Sequence, residues 1–251
     1  MRVAAVLSVA SILSCTQSIA GPMGPVGLGE TQKSWSWVGT ISAGPVWEGA
    51  GQTQTFYLAP NIIKTYAAEH AAHALFDGEV FLGIQKELPK AFLGQIGLAV
   101  AATSNAKLSG NIWDDADSTF NNYSYSYQVQ HTHIAVKGKF LADRGYWVMP
   151  WVSASLGVGF NAAHDFQNTP LISEAVTMTN FASSTQTSFT YTLGAGVQKV
   201  LNSHWQAGIG YEFADWGQSQ LSRASGQTLN SGLSLNHLYT NGVLFNLTYL
   251  A

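Results

Sequence analysis

Beyond residue 33 the hydrophobic and polar positions alternate with a period of two. In NGVLFNLTYLA, residues 241–251, Val243, Phe245, Leu247 and Tyr249 share one side of an extended strand, and Gly242, Leu244, Asn246 and Thr248 share the other. The same division recurs upstream. Trp205, Ala207, Ile209, Tyr211 and Phe213 oppose Gln206, Gly208, Gly210, Glu212 and Ala214. Val80, Leu82 and Ile84 oppose Glu79, Phe81, Gly83 and Gln85. One face is bulky and apolar, the other small and polar. The pattern predicts strands at 34–47, 75–88, 91–103, 123–141, 146–161, 187–201, 204–217 and 234–250. Three short turns, at 87–90, 142–145 and 201–204, alternate with four long polar connections at 48–74, 103–122, 162–187 and 217–233.

Two hairpins share a recipe: Gly83-Ile84-Gln85-Lys86-Glu87-Leu88 is echoed by Gly196-Val197-Gln198-Lys199-Val200-Leu201. The fourth strand breaks the pattern. Its tyrosines 123, 125 and 127 share a parity with Val129, but the apolar parity then switches to Ile134, Val136 and Phe140. Two readings stay open: a bulge around 129–132, or a strand top above a bilayer with its tyrosines in the outer interface. The second turns His131, His133, Lys137 and Lys139 inward. It avoids a lipid-facing lysine at midplane, which costs ~2–4 kcal/mol.

Composition decides what the bulky faces meet. Only 10% of residues are charged and 12% are aromatic, against about 25% charged in soluble domains. Residues 1–20 have a secretory signal's three parts: Arg2, an apolar run over 3–13, and Ser18-Ile19-Ala20 before Gly21. Residues 21–33 are a Gly/Pro-rich leader, and 34–251 the folded domain. Lipidation at Cys15 is the rival reading; cleavage after Ala20 leaves no cysteine. Cleavage there also leaves 10 basic against 14 acidic residues, which argues against a nucleic-acid partner. No run of 18 apolar residues follows the signal, so no membrane helix is expected. The expected fold is all-β: an eight-stranded antiparallel transmembrane up-and-down β-barrel with small residues inside and bulky ones toward lipid. A ten-stranded barrel, with an extra hairpin in 48–74 or 162–187, is the alternative.

Tryptophan spacing supports a membrane barrel. Trp35 and Trp37 precede Trp47, and Trp205 precedes Trp216, by 10 to 12 residues. At ~3.3 Å per residue and a tilt of ~40–45°, that spans about 25 Å, the height of a lipid-facing band between aromatic girdles. Trp147 lies beside a short turn and fits the same girdle.

With Gly242, Phe245, Leu247 and Tyr249, the chain's end resembles the carboxy-terminal assembly signal of outer-membrane barrels. It departs in having Tyr249 where Phe is commoner, and in the extra Leu250 and Ala251. In architecture the chain resembles the OmpA-type and opacity-type eight-stranded barrel family. That resemblance implies a bacterial outer-membrane location, contact with outer-membrane lipid and the barrel assembly machinery, and a monomer. It also implies a structural or surface-interaction role, with loops available to a host or surface ligand. No periplasmic domain is expected after the eighth strand.

Chemistry is sparse. Glu79, His133, Lys137 and Glu212 are expected to face the lumen as a charge network that plugs it; a small gated pore is the alternative. His70 and His73, in an alanine-rich stretch that suggests a short loop helix, and the acidic Asp114, Asp115 and Asp117, are read as solvated loop residues. No metal or cofactor is expected. A membrane-embedded lipid-modifying enzyme is the second alternative, but the His-x-Ser pair of lipid A deacylases is absent, and no catalytic residue is assigned.

Overall fold

The computed structural model describes residues 35–49, 51–69, 73–176 and 178–251. The signal, the leader and Cys15 lie outside them. In chain order the strands are β1 (Trp35–Glu48), β2 (Gln54–Ala59), β3 (Ile62–Ala68), β4 (Ala74–Leu88), β5 (Phe92–Thr103), β6 (Ala106–Asp114), β7 (Asn121–Ala142), β8 (Met149–Pro170), β9 (Phe181–Ala182), β10 (Ser184–Val200), β11 (Trp205–Asp215), β12 (Ser219–Gln220), β13 (Ser222–Ala224), β14 (Ser234–Leu235) and β15 (Tyr239–Leu250).

Eight of them close a ring. β1 pairs with β4, β4 with β5, β5 with β7, and β7 with β8. β8 pairs with β10, β10 with β11, β11 with β15, and β15 returns to β1, every pairing antiparallel. Closure leaves no sheet edge, which is what a strand-built membrane span requires.

The ring's exterior is apolar. Ile41, Leu82, Leu98, Val136, Leu156 and Phe245 all lie more than half exposed, on six different strands. So broad an apolar surface is not stable in water, and in a bilayer it is the buried face. The interior is polar or small, as the alternation predicts.

β7 and β8 have 22 residues each, while a tilted spanning strand needs about 9–11. Their upper halves stand clear of the membrane, where β6 pairs with β7, β3 with β6, and β2 with β3. The result is a sheet, β2-β3-β6-β7-β8, rising from one side of the ring. The hairpin inside 48–74 therefore joins this extension and not the wall, so the ring has eight strands and not ten. Among the described residues the expected loop helix does not form: residues 62–68 are strand, strand resumes at Ala74, and His70 falls outside the described residues.

Of the two readings of the fourth strand, the bulge at 129–132 is excluded; His131, His133, Lys137 and Lys139 face inward as the other requires, but Tyr123, Tyr125 and Tyr127 also face inward and not into an interface. Odd residues of β7 from Tyr123 to Leu141 all face inward without a bulge. What changes along the strand is the interior itself, aromatic above and polar below. The irregularity sits on β8, where Asp165 has a positive φ of 55° and the register slips opposite Ser126 and Gln128. This extra residue moves Phe166 onto the inner face with the tyrosines.

Candidate functional site: a layered lumen beneath a folded sheet

From the short-turn end, the lumen begins with an apolar floor of Leu141, Met149 and Trp151. Above it the Gln95 amide donates to Gln85 at 2.8 Å, and Gln198 donates to Gln206. Lys139 bonds Gln198 and lies 4.5 Å from the centre of the Trp151 ring. A cavity of about 30 Å³ opens at this level. Gln95 Oε1, Trp151 Nε1, Ser153 Oγ and Asn246 Oδ1, all of lining residues, lack a protein partner. The volume suits about two waters, and these atoms supply both donors and acceptors for them.

The next layer is the charge network. Lys137 Nζ donates to Glu79 Oε1 at 2.7 Å, to Glu79 Oε2 at 2.9 Å and to Glu212 Oε2 at 3.0 Å. The three residues come from β7, β4 and β11, so the cluster ties distant parts of the wall together. All three are buried. Three ammonium protons meeting three carboxylate contacts is the satisfied geometry a buried charge requires.

His133 lies one layer higher, outside this network. His131 Nε2 and His133 Nδ1 approach to 3.4 Å, and His131 Nδ1 bonds Asn161. Both imidazoles pack against Trp216, at 4.1 and 4.7 Å between ring centres. Trp216 therefore does not belong to the aromatic girdle. It is 1% exposed, and its indole N–H donates to Thr240 inside the barrel at 2.7 Å. The alternating pattern of β11 ends at Asp215, and the chain turns inward through Gly217, whose φ is 75°. The other five girdle tryptophans face outward: Trp35, Trp37, Trp147 and Trp205 at the short-turn end, and Trp47 at the opposite end. Phe245, Leu247 and Tyr249 share that outer face, whereas Gly242 faces inward against β1, where a Cβ would come 2.3 Å from the Pro45 carbonyl oxygen.

Residues 216–238 close the top. The Leu221 amide donates to the Leu233 carbonyl at 2.8 Å, and the Gly232 amide donates to the Leu221 carbonyl at 3.1 Å. Leu221, Leu233, Leu235 and Leu238 are at most 3% exposed and pack with Val46, Leu75 and Leu244. The last long connection, expected to be a polar loop with its strand starting at 234, is thus a lid, and the ring strand starts at Tyr239. Leucines at 221, 229, 233, 235 and 238 were the signal in the sequence.

The sheet above the ring shares this core. Tyr66 stacks on Phe56 at 5.2 Å and meets Tyr125 edge-on at 5.6 Å, while Phe166 and Phe181 meet at 4.8 Å. Burial raises the phenol pKa of Tyr66, Tyr125 and Tyr127. The lid secures the outer edge of β2: Thr228 and Leu229 amides donate to the Leu58 carbonyl at 3.0 and 3.1 Å. Asp114 joins Lys64 and accepts from Asn122 at 2.7 Å, while Asp115 and Asp117 lie exposed in the turn. The Thr119 backbone amide, then its hydroxyl, lower the Asp117 pKa. His73 borders a polar cleft of about 530 Å³ on the sheet's outer side. His237 pairs with Asp215 at 2.9 Å at the mouth, a pair the sequence gave no periodic signal for.

A closed antiparallel ring with an apolar exterior, a packed polar interior and a folded sheet at one end defines a transmembrane β-barrel protein. No family model matches the chain, and no curated protein matches it. Among solved structures it is similar to Neisserial surface protein A, with 11% identity, 86% of this chain and 99% of that one covered, and a TM-score of 0.45. It is similar to the outer-membrane protease OmpT of Escherichia coli, with 7% identity, coverage of 88% and 99%, and a TM-score of 0.46. It is also similar to Ail, the attachment invasion locus protein of Yersinia pestis, with 12% identity, coverage of 85% and 98%, and a TM-score of 0.33.

Proposed function

We propose that the chain is a bacterial outer-membrane barrel, short turns in the periplasm, whose extracellular sheet presents a fixed surface for contact with other cells or molecules. The observation that carries this reading is the aromatic and leucine core standing beyond the apolar band. Connections that only join strands need no core of their own. Here β2, β3 and β6 add to β7 and are fastened to the lid, so the surface is held in one shape. Ordered loops on a rigid scaffold are the usual bearers of recognition. The layered lumen supports a non-conducting barrel over a gated pore.

The test is adhesion. Bacteria displaying the full chain are compared with bacteria displaying a chain in which residues 51–69 are replaced by a short Gly/Ser turn. Both are allowed to settle on cultured epithelial monolayers and on their own kind. Unboiled and boiled gel samples check that each barrel is folded. Adhesion above the vector background, lost on pruning while the barrel persists, is expected. Equal adhesion of full, pruned and vector-only cells would sink the surface-contact role.

A further inference from the structure

The echoed hairpins build the same local structure twice. Gly83 faces Gly97 across the β4–β5 pairing, and Gly196 faces Gly210 across β10–β11. Two residues on, Gln85 and Gln198 each engage a second glutamine inside the barrel. One residue further, the lysine turns outward onto a tryptophan. Lys86 Nζ lies 4.5 Å from the centre of the Trp35 ring, and Lys199 Nζ lies 4.6 Å from that of Trp147. Neither ammonium has a carboxylate within ion-pair distance among the described residues.

The two pairs are placed symmetrically. Trp35 and Lys86 are direct register partners on the β1–β4 seam, and Trp147 and Lys199 sit at the β8–β10 seam. Around the ring β1-β4-β5-β7-β8-β10-β11-β15, these seams are four strands apart in either direction. Both lie at the short-turn end, level with the exposed indoles of Trp37 and Trp205. A tryptophan at a membrane interface sits at headgroup depth. A lysine there extends its chain along apolar surface and keeps its charge at the phosphate layer. The indole face fixes where that charge lies. Other cations at this end, Lys90 and Arg144, follow the turns and share neither the register nor a tryptophan.

We propose that Lys86 with Trp35, and Lys199 with Trp147, form two headgroup sites for anionic phospholipid of the inner leaflet, on opposite sides of the barrel. The ammonium takes the lipid phosphate, and the indole and the neighbouring apolar strand surface take the glycerol and upper acyl chain. The sites need only the barrel reading; which leaflet they meet rests on the orientation proposed above.

Native mass spectrometry of the purified full chain, given equimolar phosphatidylglycerol and phosphatidylethanolamine, tests this. Wild type is expected to retain up to two phosphatidylglycerols in preference to phosphatidylethanolamine. Lys86→Gln or Lys199→Gln weakens one site, and the double variant weakens both. Each lysine lost weakens retention about fivefold, the factor for ~1 kcal/mol per lysine at an anionic surface. Lys90→Gln with Arg144→Gln retains lipid as wild type does. Equal retention of the two lipids by wild type overturns the proposal, as does undiminished retention by the double variant or equal loss in the Lys90/Arg144 control. A wild-type sample with no heat-shifted gel band would instead overturn the barrel itself.

Discussion

Lys137→Met leaves two buried carboxylates facing each other with no cation between them. In the native barrel Lys137 supplies all three of its protons to Glu79 and Glu212, at 2.7, 2.9 and 3.0 Å. Each partner is under 10% exposed, and the small cavity beside them suits only about two waters, too few to solvate two bare carboxylates. Removing one member of such a cluster costs ~3–5 kcal/mol, whereas removing all the charges together is close to neutral. The assay is urea unfolding in detergent micelles, followed by tryptophan fluorescence. Lys137→Met should lose ~3–5 kcal/mol. The triple variant Lys137→Met/Glu79→Gln/Glu212→Gln should recover at least half of that, a coupling that only residues in one network show. A loss under ~1 kcal/mol for the single variant, or a triple variant as unstable as the single, would refute the account of the layer.

The lid, the interior spacing and the sheet make separate predictions. Trp216→Ala should cost ~3–5 kcal/mol, as for a large buried aromatic, and more than Trp205→Ala, whose side chain faces outward; equal losses in urea would return Trp216 to the girdle. Gly210→Val should cut the folded fraction on unboiled gels, because even a Cβ there would come 2.3 Å from the Trp151 ring, whereas Gly138→Ala, with nothing closer than 3.9 Å, should fold normally. Tyr66, Tyr125 and Tyr127 hold their protons above the usual phenol range, while unfolded tyrosine ionises near ~10. The unfolded state then binds fewer protons, so stability contributed by these phenols is full below pH ~10 and falls as pH rises beyond it. Absorbance at 295 nm should show a late step coincident with unfolding, and all ten tyrosines ionising in the folded barrel near pH 10 would contradict their burial. In planar bilayers, wild type and Lys137→Ala should both be silent, since the lid lies above the network; steps in the variant alone would make Lys137 a gate.

How much of this was legible in the sequence depended on which contacts were local. Period-two alternation is a property of neighbours along the chain, so the ring strands, their inward faces and the three short turns could be read directly. The inward placement of Glu79 and Glu212 followed from parity, and that of Lys137 from the cost of a lipid-facing lysine, though their convergence on one point could not be read, because it depends on register around the closed ring. Trp216 was misread for the same reason. Its distance from Trp205 matches a girdle spacing, but Gly217 bends the chain inward one residue later, and no count along a straight strand anticipates that. The long connections hid their structure because β2, β3 and β6 find their partners in one another and not in the wall. Their serines, threonines and asparagines form the solvated side of a sheet, and scattered residues such as Phe56, Tyr66, Leu108, Ile112, Phe166 and Phe181 mark its buried side.

β7 shows why a parity break in a sequence need not be a break in a strand. From Tyr123 to Leu141 its odd residues never leave the interior, yet they pass through three media. The tyrosines meet the core of the sheet above the ring, the histidines meet Trp216 and Asn161, and the lysines meet carboxylate and amide. On the other face, Ser124 and Ser126 meet water, and Ile134 and Val136 meet lipid. Hydrophobicity therefore inverts between the faces at the membrane boundary: above it the apolar side is inside, and below it the apolar side is outside. The inversion falls between Val129 and Ile134, and it marks where this strand leaves the bilayer. Trp216, packed on His131 and His133, lies at this same height, so the lid begins where the wall changes from lipid-facing to solvent-facing.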